Sequence, residues 1–275
     1  MWFYKRREQK LKMIWKVTFN QRTSFLVGTA HFFPHSFRTS LTNLLQDVDR
    51  VLLEGPLDER NMNKATESGV SGAGCREVLK ALDGKTVKEI TELFLPGGTK
   101  NLHLVGVPYK ASPQEAVISM FERMKPWLFF FTVYKGFLDK QGWKYSVDLE
   151  AYDIAKKLRK ETHFLETMEE QIEVLENLSL DHIVNFLNRI DEWKHYTRNF
   201  TQWYLEGDLD SVTANPYKFP TRSPHVIERR DAILFERMLP HVRQGSVAVF
   251  VGIPHVQGIK GMLREEGFEV EQIAM

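Results

Sequence analysis

The sequence predicts an α/β protein. Its central β-sheet is mainly parallel or mixed and is built from βαβ units near the two ends of the chain. A large, mostly helical insertion separates them, at about residues 57–235 of a single domain spanning 1–275. Three stretches carry this prediction. Ser24-Phe-Leu-Val-Gly-Thr-Ala-His31 is an apolar run that ends in a tight turn and delivers a histidine. Val247-Ala-Val-Phe-Val-Gly-Ile-Pro-His255 repeats the device near the C-terminus. Val51-Leu-Leu-Glu54 is a shorter apolar run that delivers a carboxylate. Near-continuous apolar runs followed by helical spacing are the mark of strands buried on both faces of a sheet.

Taken in order, Met13 to Phe19 alternates as a strand, Asn20 to Thr23 reads as a turn, and Ser24 to Val27 resumes the apolar run. That is a hairpin feeding the first core strand. Leu41, Leu44, Leu45 and Val48 follow at helical spacing, and Val51 to Leu53 is the next strand. Strand, helix and strand within about 30 residues form a βαβ unit, whose two strands run parallel. Open α/β sheets place ligands beyond the carboxyl ends of such strands. His31 and Glu54 are therefore expected on one edge.

The stretch 57–74 is polar and reads as a loop. Cys75 to Leu82 and Val87 to Phe94 read as short helices, and Leu102 to Val107 as a short strand beyond the Pro96-Gly-Gly98 break. Helical patterns cover Pro113 to Lys140, with a restart at Pro126, and Asp148 to Arg159. A strand over Thr162 to Leu165 ends at Glu166. Further helices span Met168 to Leu187, Arg189 to Tyr204 and His225 to Leu239. Val247 to Val251, a helix from Val256 to Glu265 and a strand over Phe268 to Ile273 make the second βαβ unit, with His255 on the first turn.

Composition narrows the function. A net charge of +1 gives no general pull toward nucleic acid. The most apolar stretch, Pro126 to Tyr134, is too short to span a bilayer. The basic N-terminus is not followed by the apolar stretch of a secretory leader. Cys75 is the single cysteine, so no internal disulfide forms. A cytoplasmic protein is the expectation. His-Glu-x-x-His, Gly-x-Ser-x-Gly, P-loop and Gly-x-Gly-x-x-Gly motifs are all absent from the sequence, which removes support for the usual zincin, serine-hydrolase and nucleotide-binding readings.

Two imidazoles and a carboxylate suit a divalent metal such as Mn, Co or Zn, with His31, Glu54 and His255 as ligands. The same residues also serve a metal-free site, with a histidine as general base and Glu54 as its partner. Arg230 is read either as half of a solvated ion pair with Asp231 or as a clamp for a developing oxyanion. Asp148 and Glu166 are read as structural, a helix cap and a strand-end carboxylate. His35 is assigned to the surface.

The quoted motifs resemble the TraB/PrgY/GumN family, which includes the Tiki proteases. They are Leu26-Val-Gly-Thr-Ala-His31, Leu52-Leu-Glu54, Lys125-Pro-Trp127, Val147-Asp-Leu with Ala155 and Lys156, Phe164-Leu-Glu-Thr167 with Gln171, Tyr204-Leu-Glu-Gly-Asp208, Arg230-Asp231 and Val251-Gly-Ile-Pro-His255-x-x-Gly258. The resemblance implies an erythromycin-esterase-like α/β fold and a metal-dependent protease site. It places His31, His255, Glu54 and Arg230 in that site, with peptide or protein as substrate. A metal-independent esterase, or a protein that holds a peptide or haem-like ligand without turnover, are the competing expectations.

Overall fold

A computed structural model describes residues 9–70, 75–94, 115, 119–214 and 218–275. The chain opens with the expected hairpin. β1 (Ile14–Phe19) and β2 (Arg22–Thr29) pair antiparallel, with Ile14 opposite Val27 and Phe19 opposite Arg22. The two connecting residues, Asn20 and Gln21, both have positive φ, 48° and 63°. A two-residue turn of that kind matches the right-handed twist of the strands it joins.

From β2 the chain passes through α1 (Arg38–Gln46) to β3 (Arg50–Leu53). Leu41, Leu44 and Leu45 form the buried stripe of α1. The two strands are parallel in direction, as expected, but they are not neighbours. β5 (Val247–Gly252) from the far end of the sequence lies between them and is parallel to both. It is buried along its whole length, as a central strand covered on both faces must be. β4 (Glu161–Phe164) adds to the other edge of β3, also parallel. β6 (Glu269–Ile273) closes the opposite edge, antiparallel to β1. The sheet order is β4-β3-β5-β2-β1-β6. The architecture is thus a mixed α/β sheet with a large helical insertion.

Two expectations change here. The strand of the insertion is not a separate feature, because β4 extends the central sheet. The polar stretch 57–74 also does not form a loop, since Glu59–Val70 is a helix, α2. Its N-terminus is capped by Asp58, which accepts from the Asn61 backbone N–H at 3.2 Å. Its charge is taken up by partners outside it, such as Glu169 for Lys64. Gly69 lets it pack closely, since a Cβ there would lie 2.8 Å from Leu128 and 2.9 Å from Trp127. Polarity alone therefore misreads a helix that meets neighbours through one small residue and ion pairs. The expected strand at Leu102–Val107 and the break at Pro96-Gly-Gly98 lie outside the described residues.

The remaining helices are α3 (Cys75–Ala81), α4 (Gly84–Phe94), α5 (Pro126–Lys140), α6 (Val147–Lys157), α7 (Met168–Glu176), α8 (Leu180–Leu187), α9 (Trp193–Glu206), α10 (Leu209–Thr213), α11 (Pro224–Gln244) and α12 (Ile253–Glu265). Met168 to Leu187 is two helices because Ser179 restarts the chain, its hydroxyl accepting from the His182 N–H. α11 runs past the expected stop at Leu239 and through Pro240. Met238 and Val242, four residues apart, are both buried and hold that last stretch against the core. Aromatic rings of α5, α8 and α9, among them Phe130, Tyr134, Phe186 and Trp193, pack edge to face in the helical layer.

Candidate active site

β2, β5 and β3 lie side by side and run in one direction, so their carboxyl ends share one edge. His31 follows β2, His255 sits in the first turn of α12 after β5, and Glu54 follows β3. The sequence-predicted trio is therefore delivered to one place by the sheet itself. Both histidines also act electrostatically on Glu54.

Each histidine is held by a buried carboxylate from another helix. His31 Nδ1 lies 2.5 Å from Asp148 Oδ2, and His255 Nδ1 lies 2.6 Å from Asp231 Oδ1. Asp148 sits in the first turn of α6. That helix is capped by Ser146, whose hydroxyl also donates to Asp148 Oδ1 at 2.6 Å. The α6 N-terminus is tied to the end of β2 by the Val147 N–H on the Ala30 carbonyl and by an antiparallel bridge between Phe33 and Tyr145. Burial works against the charged form of Asp148, yet His31 and Ser146 hold its carboxyl below the usual range. An ionised carboxylate accepts, so His31 donates through Nδ1–H and leaves Nε2 free.

Asp148 raises His31 to about 9, against the opposing effect of burial, with a smaller upward push from Glu54. The His31 side chain is 61% exposed, so water screens the pair. His255 is almost fully buried. Its partner Asp231 is pushed upward by burial, while His255 and Arg230 pull the other way.

Glu54 is fixed from two sides. Oε1 accepts from Arg230 Nη2 at 2.6 Å and Oε2 from the Gly252 N–H at 2.5 Å. Burial opposes its charge, but Arg230, His255, His31 and the Gly252 N–H together hold the carboxyl well below the usual carboxylate range. Arg230 in turn grips Glu166, with Nε on Oε1 at 2.9 Å and Nη2 on Oε2 at 2.5 Å. Of the two adjacent arginines, Arg230 enters this network, while Arg229 is exposed. Arg230 is thus paired with buried Glu166 and half-buried Glu54 rather than with its chain neighbour, Asp231.

Asp148 and Glu166, expected as a helix cap and a strand-end carboxylate, bond directly to His31 and to Arg230. The signal that marks them is positional. Asp148 opens a helix that returns to the strand-end edge, and Glu166 follows β4 as Glu54 follows β3, with the Glu166 N–H on the Glu54 carbonyl at 2.8 Å. His35 lies edge-on to Phe33, with ring centroids 5.9 Å apart.

The two glycines of the Gly-x-x-His turns have separate reasons. At Gly28 a Cβ would lie 3.1 Å from Ile253 and from Val256 in the first turn of α12. At Gly252 it would lie 3.1 Å from Glu54 Oε2. Gly258 is stricter still, because a Cβ would fall 1.9 Å from Asp231 Oδ2. It lets α11 bring Asp231 onto His255.

These turns, the Arg230-Asp231 pair and the Gly258 contact belong to one set of motifs running almost end to end. The TraB/PrgY/gumN family model matches residues 13–272 of the 275. The chain belongs to the TraB/PrgY/gumN family. No curated protein and no solved structure matches it. Among the described residues of this family member, no helix is long and apolar enough to cross a membrane.

The donor chemistry suits a divalent ion in part. Histidines that ligate metals are commonly oriented by a carboxylate on the other ring nitrogen, and both His31 and His255 are so held. Glu54 retains lone pairs on both oxygens but shares them with Arg230 and Gly252. Among the described residues, no group of three His, Cys, Asp or Glu stands at a spacing that would hold a metal. The two histidines fit; the third ligand is turned toward Arg230. A polar groove of about 780 Å³ along α2, lined by Glu59, Arg60, Lys64 and Glu169 among others, includes none of these residues. It has volume but not the chemistry.

Proposed function

We propose that the protein is a hydrolase of peptide or protein substrates, with a divalent metal held by His31 and His255 through Nε2 and by Glu54. One observation carries this reading: two histidines at neighbouring strand ends are each oriented through Nδ1 by a buried carboxylate. A divalent ion bound there supplies a Lewis acid and a water of lowered pKa.

The chain's own groups then divide the work. Asp148 and Asp231 fix the tautomer and direction of the two rings. Glu54, held charged, is suited to be a ligand and poorly suited to be a general base, since an efficient base titrates near the working pH. Glu166 holds Arg230 by two bonds, so the guanidinium stays in place when Glu54 turns toward a metal. Among the described residues Arg230 Nη1 has no hydrogen-bond partner, and it is the donor we assign to the substrate carbonyl oxygen as charge develops.

A metal-free reading draws on Glu54, whose two oxygens are engaged by Arg230 and the Gly252 N–H. With His31 held protonated at neutral pH, the base in that reading is His255 and the acid is His31. The test is hydrolysis of a peptide library and simple esters by chelator-treated protein, with Mn, Co or Zn added back singly. Cleavage that needs the added metal supports the first reading, and cleavage without it supports the second. Binding without turnover under all conditions overturns both and leaves a ligand-holding protein.

A further inference from the structure

A second pair of histidines lies apart from the strand-end site, between β4 and α11. His163 is on β4 and His241 is in the last turns of α11. Their ring centroids are 4.8 Å apart and their planes meet at 45°. His163 Nε2 bonds Glu161 Oε1 at 2.7 Å, which leaves Nδ1 as its open nitrogen. His241 Nδ1 is buried and has no hydrogen-bond partner. A buried polar atom without a partner calls for an explanation, an ion or water among them. We propose that His163 and His241 form a second metal site, independent of the strand-end site, that takes an imidazole-preferring divalent ion such as Cu, Ni or Zn.

Geometry and chemistry agree on this class. Two imidazoles on one ion, each with a metal–nitrogen bond of about 2.0–2.1 Å, bring ring centres to about 5 Å, the separation seen here. Glu161 stands to His163 as Asp148 stands to His31, a carboxylate that fixes the ring. Burial, together with the charges of His163 and Arg50, keeps His241 below its ordinary pKa, opposed only by Glu161. Arg50, a nearby cation, is engaged with Gln244 and the Gly245 carbonyl. The two protein ligands come from a strand and a helix far apart in sequence, so the ion would clip β4 to α11. Among the described residues no third protein ligand is in place, so water would complete the shell. That composition favours copper and nickel over the oxygen-preferring magnesium and calcium.

The test uses Cu(II), Ni(II) and Zn(II) salts added singly to the full chain carrying H31A and H255A, which removes the strand-end histidines and keeps the two proposals separate. Calorimetry is expected to show one ion bound, lost on adding H163Q or H241Q and weakened about tenfold by E161Q. Where the H31A/H255A chain fails to fold, Cu(II) on the unmodified chain is read by electron paramagnetic resonance. Loss of one of two two-imidazole Cu(II) signals in H163Q and in H241Q, the strand-end signal remaining, then supports the site. Binding of unchanged stoichiometry and affinity in H163Q and H241Q overturns it.

Discussion

Asp148 and Glu166 were read from the sequence as a cap and a strand-end carboxylate, and in the fold Asp148 also bonds His31 while Glu166 bonds Arg230. Asp148 holds His31 at about 9. A group whose folded pKa is raised contributes stability that is full below its unfolded value, near 6.5, and is lost as pH rises through the folded value. The metal-free protein is therefore expected to lose stability between about pH 6.5 and 9, by roughly 1 kcal/mol once solvent screening of the exposed ring is allowed for. Asp148→Asn is expected to remove that slope and return the His31 titration toward its ordinary range, as followed by histidine NMR. Glu166 carries two of the three bonds that hold Arg230. Glu166→Gln leaves a buried guanidinium short of one charge partner and is expected to cost about 2–3 kcal/mol in urea unfolding. An unchanged midpoint would place Arg230's anchoring elsewhere. Neither role was legible beforehand because a carboxylate's partner depends on which helix returns to which strand end.

At the scale of elements, much of the family's motif set turns out to position others. Tyr204 donates its hydroxyl to the Gly28 carbonyl at 2.8 Å, pinning α9 to the β2 turn. Gly207, at φ 77°, ends α9 in the left-handed conformation, and Asp208 caps α10. Pro126 opens α5 while the Lys125 N–H bonds the Gly69 carbonyl. The helix pair α11–α12 carries the sharpest constraint. Gly258→Ala puts a methyl 1.9 Å from Asp231 Oδ2 and must push the carboxylate off His255. The expected outcome is a 10- to 100-fold loss of metal affinity, as for other losses of an orienting partner, with the fold retained by circular dichroism. Periodicity read these elements well where an apolar stripe or run was strong, as in β5 and α6. It failed at α2, whose packing rests on Gly69 and on ion pairs, neither of which carries a hydrophobic period.

Across the whole molecule, the sequence revealed that two strands ended in histidines and one in a glutamate, and that parallel strands would gather them. It did not reveal that β5 enters between β2 and β3, nor that β4 joins the sheet and brings Glu166 beside Glu54. Strand order depends on long-range pairing, which leaves no local trace. The gathered site is the central claim, and metal binding tests it most directly. Calorimetry with Mn and Co on metal-stripped protein is expected to show one site of micromolar or tighter affinity. That site should vanish in His31→Ala and in His255→Ala, while persisting in His163→Gln and His241→Gln. A tight Mn or Co site that survives both strand-end substitutions, or no tight Mn or Co site at all, would contradict the account.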